Sequence, residues 1–270
     1  MRKIIFIFYC LFLFANFSFA SIDTIYIYSN AMHKTIKAVV IKPTNYANQK
    51  DFATVYLLHG AYGKYDNWVK KVSSLQADAD VYEVIIVCPD GSENSWYFDS
   101  PVDSTYKFET HISKEVPDYI DAKYKTKKDR KYRAITGLSM GGHGAMFIAF
   151  RHAETFGACG SMSGALNIST IKNGYDINKR IGKLDSTNLY YKNWSVFNII
   201  ETKPSDSLII ILDCGLQDFI CGMSKATHEK LVALKIPHDY IERPGKHDWN
   251  YWSNAVKYQL LFFKNHFDKN

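Results

Sequence analysis

Residues 134–144 read AITGLSMGGHG, and four glycines packed into so short a stretch restrict what can surround them. The segment starts with apolar, strand-like text and continues with helical spacing. Glycine inside a helix costs about 1 kcal/mol relative to alanine, so Gly141, Gly142 and Gly144 imply a helix whose neighbours leave no room for side chains. Gly137-Leu138-Ser139-Met140-Gly141 fits G-x-S-x-G. Between a strand and a helix, this pattern sets the serine on a sharp, strained turn where side chains two positions either side would collide. The glycines are therefore expected to clear space for Ser139 Oγ to project above a sheet. Gly142 and Gly144 then let the helix press close to neighbouring strands.

The remaining text supplies such a sheet. Apolar runs at 54–60, 83–91, 132–137, 156–164 and 207–215 read as buried strands ending in glycine-bearing loops. Segments at 108–125, after Ser139, at 223–235 and at 249–267 carry helical spacing. Continuous apolar strands with helices between them require a sheet covered on both faces, so the predicted fold class is α/β with a mostly parallel central sheet. The early stretches IDTIYIYS and TIKAVVIK predict an antiparallel hairpin at the sheet edge. From 166 to about 194 the text turns polar and irregular without a convincing strand. Such a stretch in a compact domain is either a cap-like functional insertion or a surface excursion.

The first twenty residues place Arg2 and Lys3 ahead of an apolar run closing on Ser18-Phe19-Ala20, the layout of a secretory signal cut after Ala20. The run is interrupted by Asn16 and is shorter than the roughly 20 apolar residues of a membrane span. The expectation is a periplasmic or secreted protein with no stable membrane span after cleavage, and residues 21–270 forming a single domain. A hydrophobic content of 47% in 270 residues allows one large core and excludes disorder by composition. Without residues 1–20 there are 31 Lys+Arg against 27 Asp+Glu, a net charge of +4. That is too mild, and too scattered, to indicate a nucleic-acid partner. Of the five cysteines, Cys10 leaves with the signal and Cys88 and Cys159 sit in strand-like text as buried thiols. Cys214 and Cys221 are near enough in sequence to bridge a short loop in an oxidising compartment.

A serine hydroxyl needs an adjacent base, and the base needs an orienting carboxylate. With the serine on a strand-to-helix turn, the chain order is serine, acid, histidine. His143 and His152 lie on the serine's own helix, and His228 and His266 on amphipathic helices. His247, in RPGKHDW, occupies a glycine-marked loop between the short strand HDYIE and the last helix, where a base can overhang a strand end; His238 is the alternative. For the acid, spacing leaves Asp213 and Asp218 open, whereas Asp248 reads as a helix N-cap. Oxyanion donors are expected from the Met140 N–H, at a helix N-terminus, and from the Ala61 N–H in LLHGAYGKYDNW. Trp68, Trp96, Tyr97 and Trp252 fall in or near these loops, as faces for a sugar or a phenolic acyl group or as core packing. The sequence carries no metal-ligand or cofactor motif, and neither group is expected.

In these blocks the chain resembles the esterase D family of α/β hydrolases, which includes feruloyl and acetyl-xylan esterases, S-formylglutathione hydrolases and mycolyltransferases. YLLHGAYG, NSWYFDS, AITGLSMGGHGAMFIAFRH, FGACGSMSGAL, CGLQDF and GKHDWNYW follow in the family's order across roughly residues 35–265. The resemblance implies an α/β-hydrolase fold, matches the family's C-G-x-x-D to Cys214–Asp218 and so implies Asp218 as the acid, and places the oxyanion donors on Ala61 and Met140. The W-L-S-G-L-T loop of the S-formylglutathione hydrolases is absent, as is the mycolyltransferase arginine near Ala61-Tyr62. What the resemblance implies is a serine carboxylesterase with Ser139, His247 and Asp218 as its triad and a small-molecule or oligosaccharide ester as partner. Acetyl or feruloyl groups on carbohydrate come first, and a generalist short-chain esterase second. The competing class is a catalytically silent carbohydrate-binding scaffold, in which a strained serine turn would have no use.

Overall fold

The computed structural model describes residues 21–48, 51–171, 174–185, 187–202 and 208–270; the expected secretory signal lies outside the described residues. Its strands are β1 (Ser21–Ser29), β2 (Lys34–Lys42), β3 (Ala53–Leu58), β4 (Val84–Pro89), β5 (Arg133–Gly137), β6 (Ala158–Met162), β7 (Ile209–Gly215) and β8 (Asp239–Arg243). They form one sheet in the order β1-β2-β4-β3-β5-β6-β7-β8. The β1–β2 hairpin is antiparallel and joins the sheet edge through an antiparallel β2–β4 pairing; β4, β3, β5, β6, β7 and β8 run parallel.

Helices cover both faces. Between β3 and β4 lie α1 (Asn67–Lys71) and α2 (Leu75–Tyr82). Between β4 and β5, the helical text resolves into α3 (Phe108–Thr110), a π turn at His111–Glu115 and α4 (Val116–Lys123). The serine's helix is α5 (Met140–Arg151), and three short helices follow β6: α6 (Ile177–Ile181), α7 (Leu189–Asn193) and α8 (Val196–Thr202). Then come α9 (Cys221–Ala233) and α10 (Trp249–Phe267). The Asp248 side chain caps α10 by accepting the Tyr251 N–H at 3.0 Å.

Strand alternation explains why the central strands are mostly apolar and buried along nearly their whole length. On β3, Tyr56 and Leu58 enter a core with Phe147 of α5 and Ile120 of α4. Val55 and Leu57 enter the opposite core, with Leu75 of α2 and Leu260 and Phe263 of α10. Successive side chains on a strand point to opposite faces, and burying each Val, Leu, Ile or Phe contributes roughly 1.5–3 kcal/mol. A strand feeding two cores has few positions for polar side chains, and those it carries, such as Thr136 and Asp213, are bonded inside the core.

The irregular 166–194 text folds without a strand among its described residues. Ile168, Ile177, Ile181 and Tyr191 join the α5-side core. Arg180 fastens the segment to the loop after β4, donating to the Asn94 carbonyl at 3.2 Å and to Asp103 at 3.1 Å. Its guanidinium lies 3.5 Å from the Tyr106 ring centroid. Cys88, Cys159, Cys214 and Cys221 are all free thiols, the first three buried, so the bridge that sequence spacing allowed between Cys214 and Cys221 is not formed. No helix among the described residues is long and apolar enough to cross a membrane.

Candidate active site

The turn between β5 and α5 has the geometry its glycines require. Ser139 adopts φ 54°, ψ −117°, a left-handed backbone that costs a non-glycine residue on the order of 1–3 kcal/mol. The neighbours on both sides hold it there. Its N–H donates to the Met162 carbonyl of β6 at 3.0 Å. A Cβ on Gly137 would stand 2.7 Å from Gly141 and from the Leu58 carbonyl, and one on Gly141 would stand 2.5 Å from the His59 carbonyl. Gly142 faces Ser161 of β6 and Gly164 just beyond that strand, as expected, whereas Gly144 makes room for the ring of Tyr97.

Acid and base arrive on adjoining loops. The loops after β7 and β8 are laced together: Leu216 N–H donates to the Arg243 carbonyl at 2.8 Å, and Gln217 N–H to the Gly245 carbonyl at 2.9 Å. Gly245 N–H donates to the Gln217 side chain at 2.7 Å. The lacing brings His247 Nδ1 to 2.8 Å from Asp218 Oδ2 and His247 Nε2 to 3.0 Å from Ser139 Oγ. With Nδ1–H donating to the carboxylate, Nε2 presents its lone pair to the serine hydroxyl. Burial by itself would raise the Asp218 carboxyl, but hydrogen bonds from His247 and the Ile220 N–H hold it below its ordinary value. The imidazole sits between Phe219 and Trp252, with ring centroids at 4.7 and 4.9 Å.

The two aspartates that spacing left open have separate surroundings. Asp213 is fully buried, bonded to the Tyr251 hydroxyl and to Arg243, and burial raises its carboxyl despite both partners. It braces the strand below the His247 loop and does not touch the ring. His238 is bonded instead to His228, Nε2 to Nδ1 at 2.8 Å.

Ala61 and Met140 both border the hollow beside Ser139, and neither N–H is used by another hydrogen bond among the described residues. A residue that sequence reasoning passed over orients the first of them. His59 is fully buried, and burial holds its ring below its ordinary value, offset only in part by the Gly60 carbonyl and Asp90. The neutral ring accepts the Gly91 N–H on Nε2 at 2.8 Å and donates from Nδ1 to the Gly60 carbonyl at 2.8 Å. Gly63 N–H donates to the same carbonyl at 3.1 Å. Because a trans peptide directs C=O and N–H oppositely, pinning the Gly60 oxygen on one side aims the Ala61 N–H to the other.

Of the four aromatics expected to bind substrate, the structure brings two to the cleft. Trp252 borders the hollow beside His247, its Nε1 donating to Ser163 Oγ at 3.1 Å, and Trp96 borders the hollow beside Met140. Trp68 and Tyr97 are corrections. Trp68 is fully buried on the α10 side of the sheet, donating to the Leu58 carbonyl at 3.0 Å. Tyr97 is fully buried against Gly144 and donates to the His59 carbonyl at 2.9 Å. Both brace the site from beneath. The aromatic rings that do line the cleft include Tyr62, Tyr175, Phe219 and Trp249, none of which the sequence reading singled out. For three of them the positional signal is adjacency to the site residues: Tyr62 follows Ala61, Phe219 follows Asp218 and Trp249 stands two residues after His247.

The family described as "Putative esterase" matches residues 29–263. An acetyl esterase of Caldicellulosiruptor saccharolyticus is 25% identical over 255 residues, covering 85% of this chain and 92% of the relative. A ferulic acid esterase structure superposes with a TM-score of 0.79 at 27% identity, covering 92% of this chain and 98% of the other. An S-formylglutathione hydrolase (FrmB) of Staphylococcus aureus shares the fold, with a TM-score of 0.79 at 20% identity over 92% and 100% of the two chains.

Proposed function

This chain belongs to the Esterase family, the esterase D-like branch of the α/β hydrolases, and is a carboxylic ester hydrolase; from that premise we propose that Ser139, His247 and Asp218 are its catalytic triad. Ser139 Oγ attacks the ester carbonyl while its proton passes to His247 Nε2. The carbonyl oxygen, now anionic, is held by the N–H groups of Ala61 and Met140, each such donor being worth on the order of 10²- to 10³-fold in rate. Collapse of the tetrahedral adduct returns the proton from Nε2 to the departing alcohol oxygen and leaves an acyl group on Ser139. A water then attacks the acyl carbon while giving a proton to Nε2, and collapse of this second adduct returns that proton to Ser139 Oγ and releases the carboxylic acid. Asp218 keeps the imidazole in the tautomer that each transfer needs.

The observation that carries this reading is the unbroken line from Asp218 Oδ2 through His247 to Ser139 Oγ, with steps of 2.8 and 3.0 Å, ending on a serine in a strained turn. A binding scaffold gains nothing from that strain. On the substrate side, the reading is an exported esterase releasing acetyl or feruloyl groups from carbohydrate. It is supported by the signal-like first twenty residues, by the names of the relatives, and by Tyr62, Trp249 and Trp252 with Asn67 around the hollow beside His247, where rings and an amide suit a sugar. A generalist esterase for simple acyl chains is the second reading, favoured by the apolar hollow beside Met140.

The test is p-nitrophenyl acetate hydrolysis by the protein and by Ser139→Ala. The variant should lose about 10⁴- to 10⁶-fold in kcat; equal rates would end the triad reading. Product analysis on acetylated and feruloylated oligosaccharides beside tributyrin separates the two substrate readings. N-terminal sequencing of the exported protein tests the cut after Ala20.

A further inference from the structure

Two hollows meet at Ser139. One, of about 350 Å³, is bordered by His247, Trp249 and Trp252; the other, of about 240 Å³, by Met140, Trp96, Ala165 and Met223. Tyr175 and Phe219 border both. If Ser139 is the nucleophile and His247 the proton carrier, which half of an ester occupies which hollow follows from the proton's route. The leaving oxygen must take its proton from Nε2, so the alcohol departs on the His247 side. The carbonyl oxygen is directed to the Ala61 and Met140 N–H groups, and Met140 borders only the smaller hollow. The acyl chain, as the remaining substituent, is left with that smaller hollow.

We infer that this hollow is built for an unbranched aliphatic acyl group of about four to eight carbons, and that Tyr175 and Phe219 are the specificity-determining pair dividing it from the alcohol side. The inference rests on the ester-hydrolase reading above and concerns only the acyl half, where it takes the second substrate reading, a simple acyl chain, in place of acetyl or feruloyl. A methylene takes about the volume of a water molecule, roughly 30 Å³, so 240 Å³ holds up to about eight such groups and acetyl leaves most of it unfilled. The walls are thioether, branched aliphatic and indole, and no charged side chain borders them. The one indole N–H there, on Trp96, is already given to the Tyr175 carbonyl at 2.8 Å. A phenolic hydroxyl carried to the far end would exchange water for walls that offer it little. Methionine adapts readily to flexible chains.

Tyr175 is held at its post against its own backbone preference. Gly174, Tyr175 and Asp176 have φ of 138°, 54° and 56°, and left-handed non-glycine residues persist only where their surroundings over-determine them, which is common at ligand clamps. Here the Trp96 bond fixes the Tyr175 carbonyl, and the Asp176 carboxylate is bonded by Lys179 at 3.0 Å. Phe219 forms the opposite jaw with 72% of its surface exposed, packed on the His247 ring.

The experiment is kcat/KM for p-nitrophenyl acetate, butyrate, hexanoate, octanoate and laurate, in which the alcohol is constant, together with methyl ferulate. The wild type should gain about three- to fourfold per methylene up to hexanoate or octanoate and decline at laurate. Ala165→Leu, which fills the hollow, should cut the octanoate-to-acetate ratio at least tenfold. Tyr175→Ala should flatten the profile. A wild-type profile that is highest at acetate, or flat, or a preference for methyl ferulate over hexanoate, overturns the inference while leaving ester hydrolysis intact. Loss of the whole profile in Ser139→Ala supports the site itself, and its persistence there overturns the triad instead. Should Ala165→Leu fail to fold, the wild-type profile alone decides.

Discussion

Ser139 and Tyr175 both face the same cleft with left-handed backbones, yet they are held there by opposite means. Around Ser139 the restraint is backbone against backbone: a parallel sheet, glycines without room for a Cβ, and a carbonyl of the next strand. Around Tyr175 the restraint comes from side chains reaching across long sequence distances, such as Trp96 to the Tyr175 carbonyl and Arg180 to Asn94 and Asp103. A structure fastened by its backbone tolerates little change and suits chemistry that must be the same for every substrate. One fastened by side chains can be rebuilt piecemeal, and so suits the choice of substrate. Changes near the elbow, the turn between β5 and α5 that carries Ser139, should therefore alter rate for all esters together, and changes in the 166–194 segment should alter ratios between them.

The largest test short of removing the nucleophile is Asp218→Asn. It keeps the shape but favours the wrong imidazole tautomer, and kcat should drop roughly 10³- to 10⁴-fold on every ester alike. The same variant has a pH signature. Asp218 titrates below its ordinary range in the folded protein, so it contributes stability that is present above the unfolded carboxyl pKa of about 3.9 and lost as pH falls through the lower folded value. Denaturant unfolding should thus show a gap between wild type and variant that is constant from neutral to mildly acid pH and closes only below about pH 4. A gap that closes as pH rises would have the wrong sign for a carboxylate stabilised by its histidine.

A smaller effect, still uniform across substrates, is expected at His59. His59→Leu removes the donor that pins the Gly60 carbonyl and frees the Ala61 peptide to turn. We expect kcat to fall on the order of 10- to 100-fold with KM little changed, because the oxyanion forms only in the transition state. His59→Asn, whose amide can donate to the same carbonyl, should recover part of the loss. A rise in KM without a fall in kcat would mean that His59 shapes the cleft and not the oxyanion donor.

The same division between backbone and side-chain restraint decides what the sequence discloses. Strands β3 to β7 are legible because each is buried on both faces and so reads as a mostly apolar run, and the elbow is legible because only glycine fits where Gly137 and Gly141 stand. His247 was legible from a glycine-marked loop at a strand end. Asp218 needed more: spacing leaves Asp213 in β7 and Asp218 just beyond it both open, the C-G-x-x-D resemblance points to Asp218, and the partners of each, Arg243 and Tyr251 for one and His247 for the other, separate them in space. Helices α6 and α7 left no periodic trace, as five-residue elements are set by contacts distant in sequence. For the aromatics, residue type says nothing about which side of a turn a ring takes. Trp68 on α1 enters the core beneath the sheet, while Tyr175, in a polar stretch with no pattern to read, reaches the cleft.

Arg180→Ala gives the smallest of these effects and the sharpest separation of the two regions. Arg180 touches no reacting group; it is buried, ties α6 to the Asn94 carbonyl and Asp103, and lies on the Tyr106 ring. Its loss leaves the buried Asn94 carbonyl and the partly exposed Asp103 carboxylate without their charged partner, costing roughly 1–3 kcal/mol, visible as a lower thermal midpoint. The elbow shares no partner with it, and effects at independent sites add to within about 0.5 kcal/mol. Inactivation of Ser139 by a small organophosphonate should accordingly stay within about twofold of wild type, whereas the octanoate-to-acetate ratio should shift severalfold as Tyr175 loses its support. If serine reactivity falls as far as the ratio moves, the excursion and the elbow are one mechanical unit, and the assignment of chemistry to one and selectivity to the other fails.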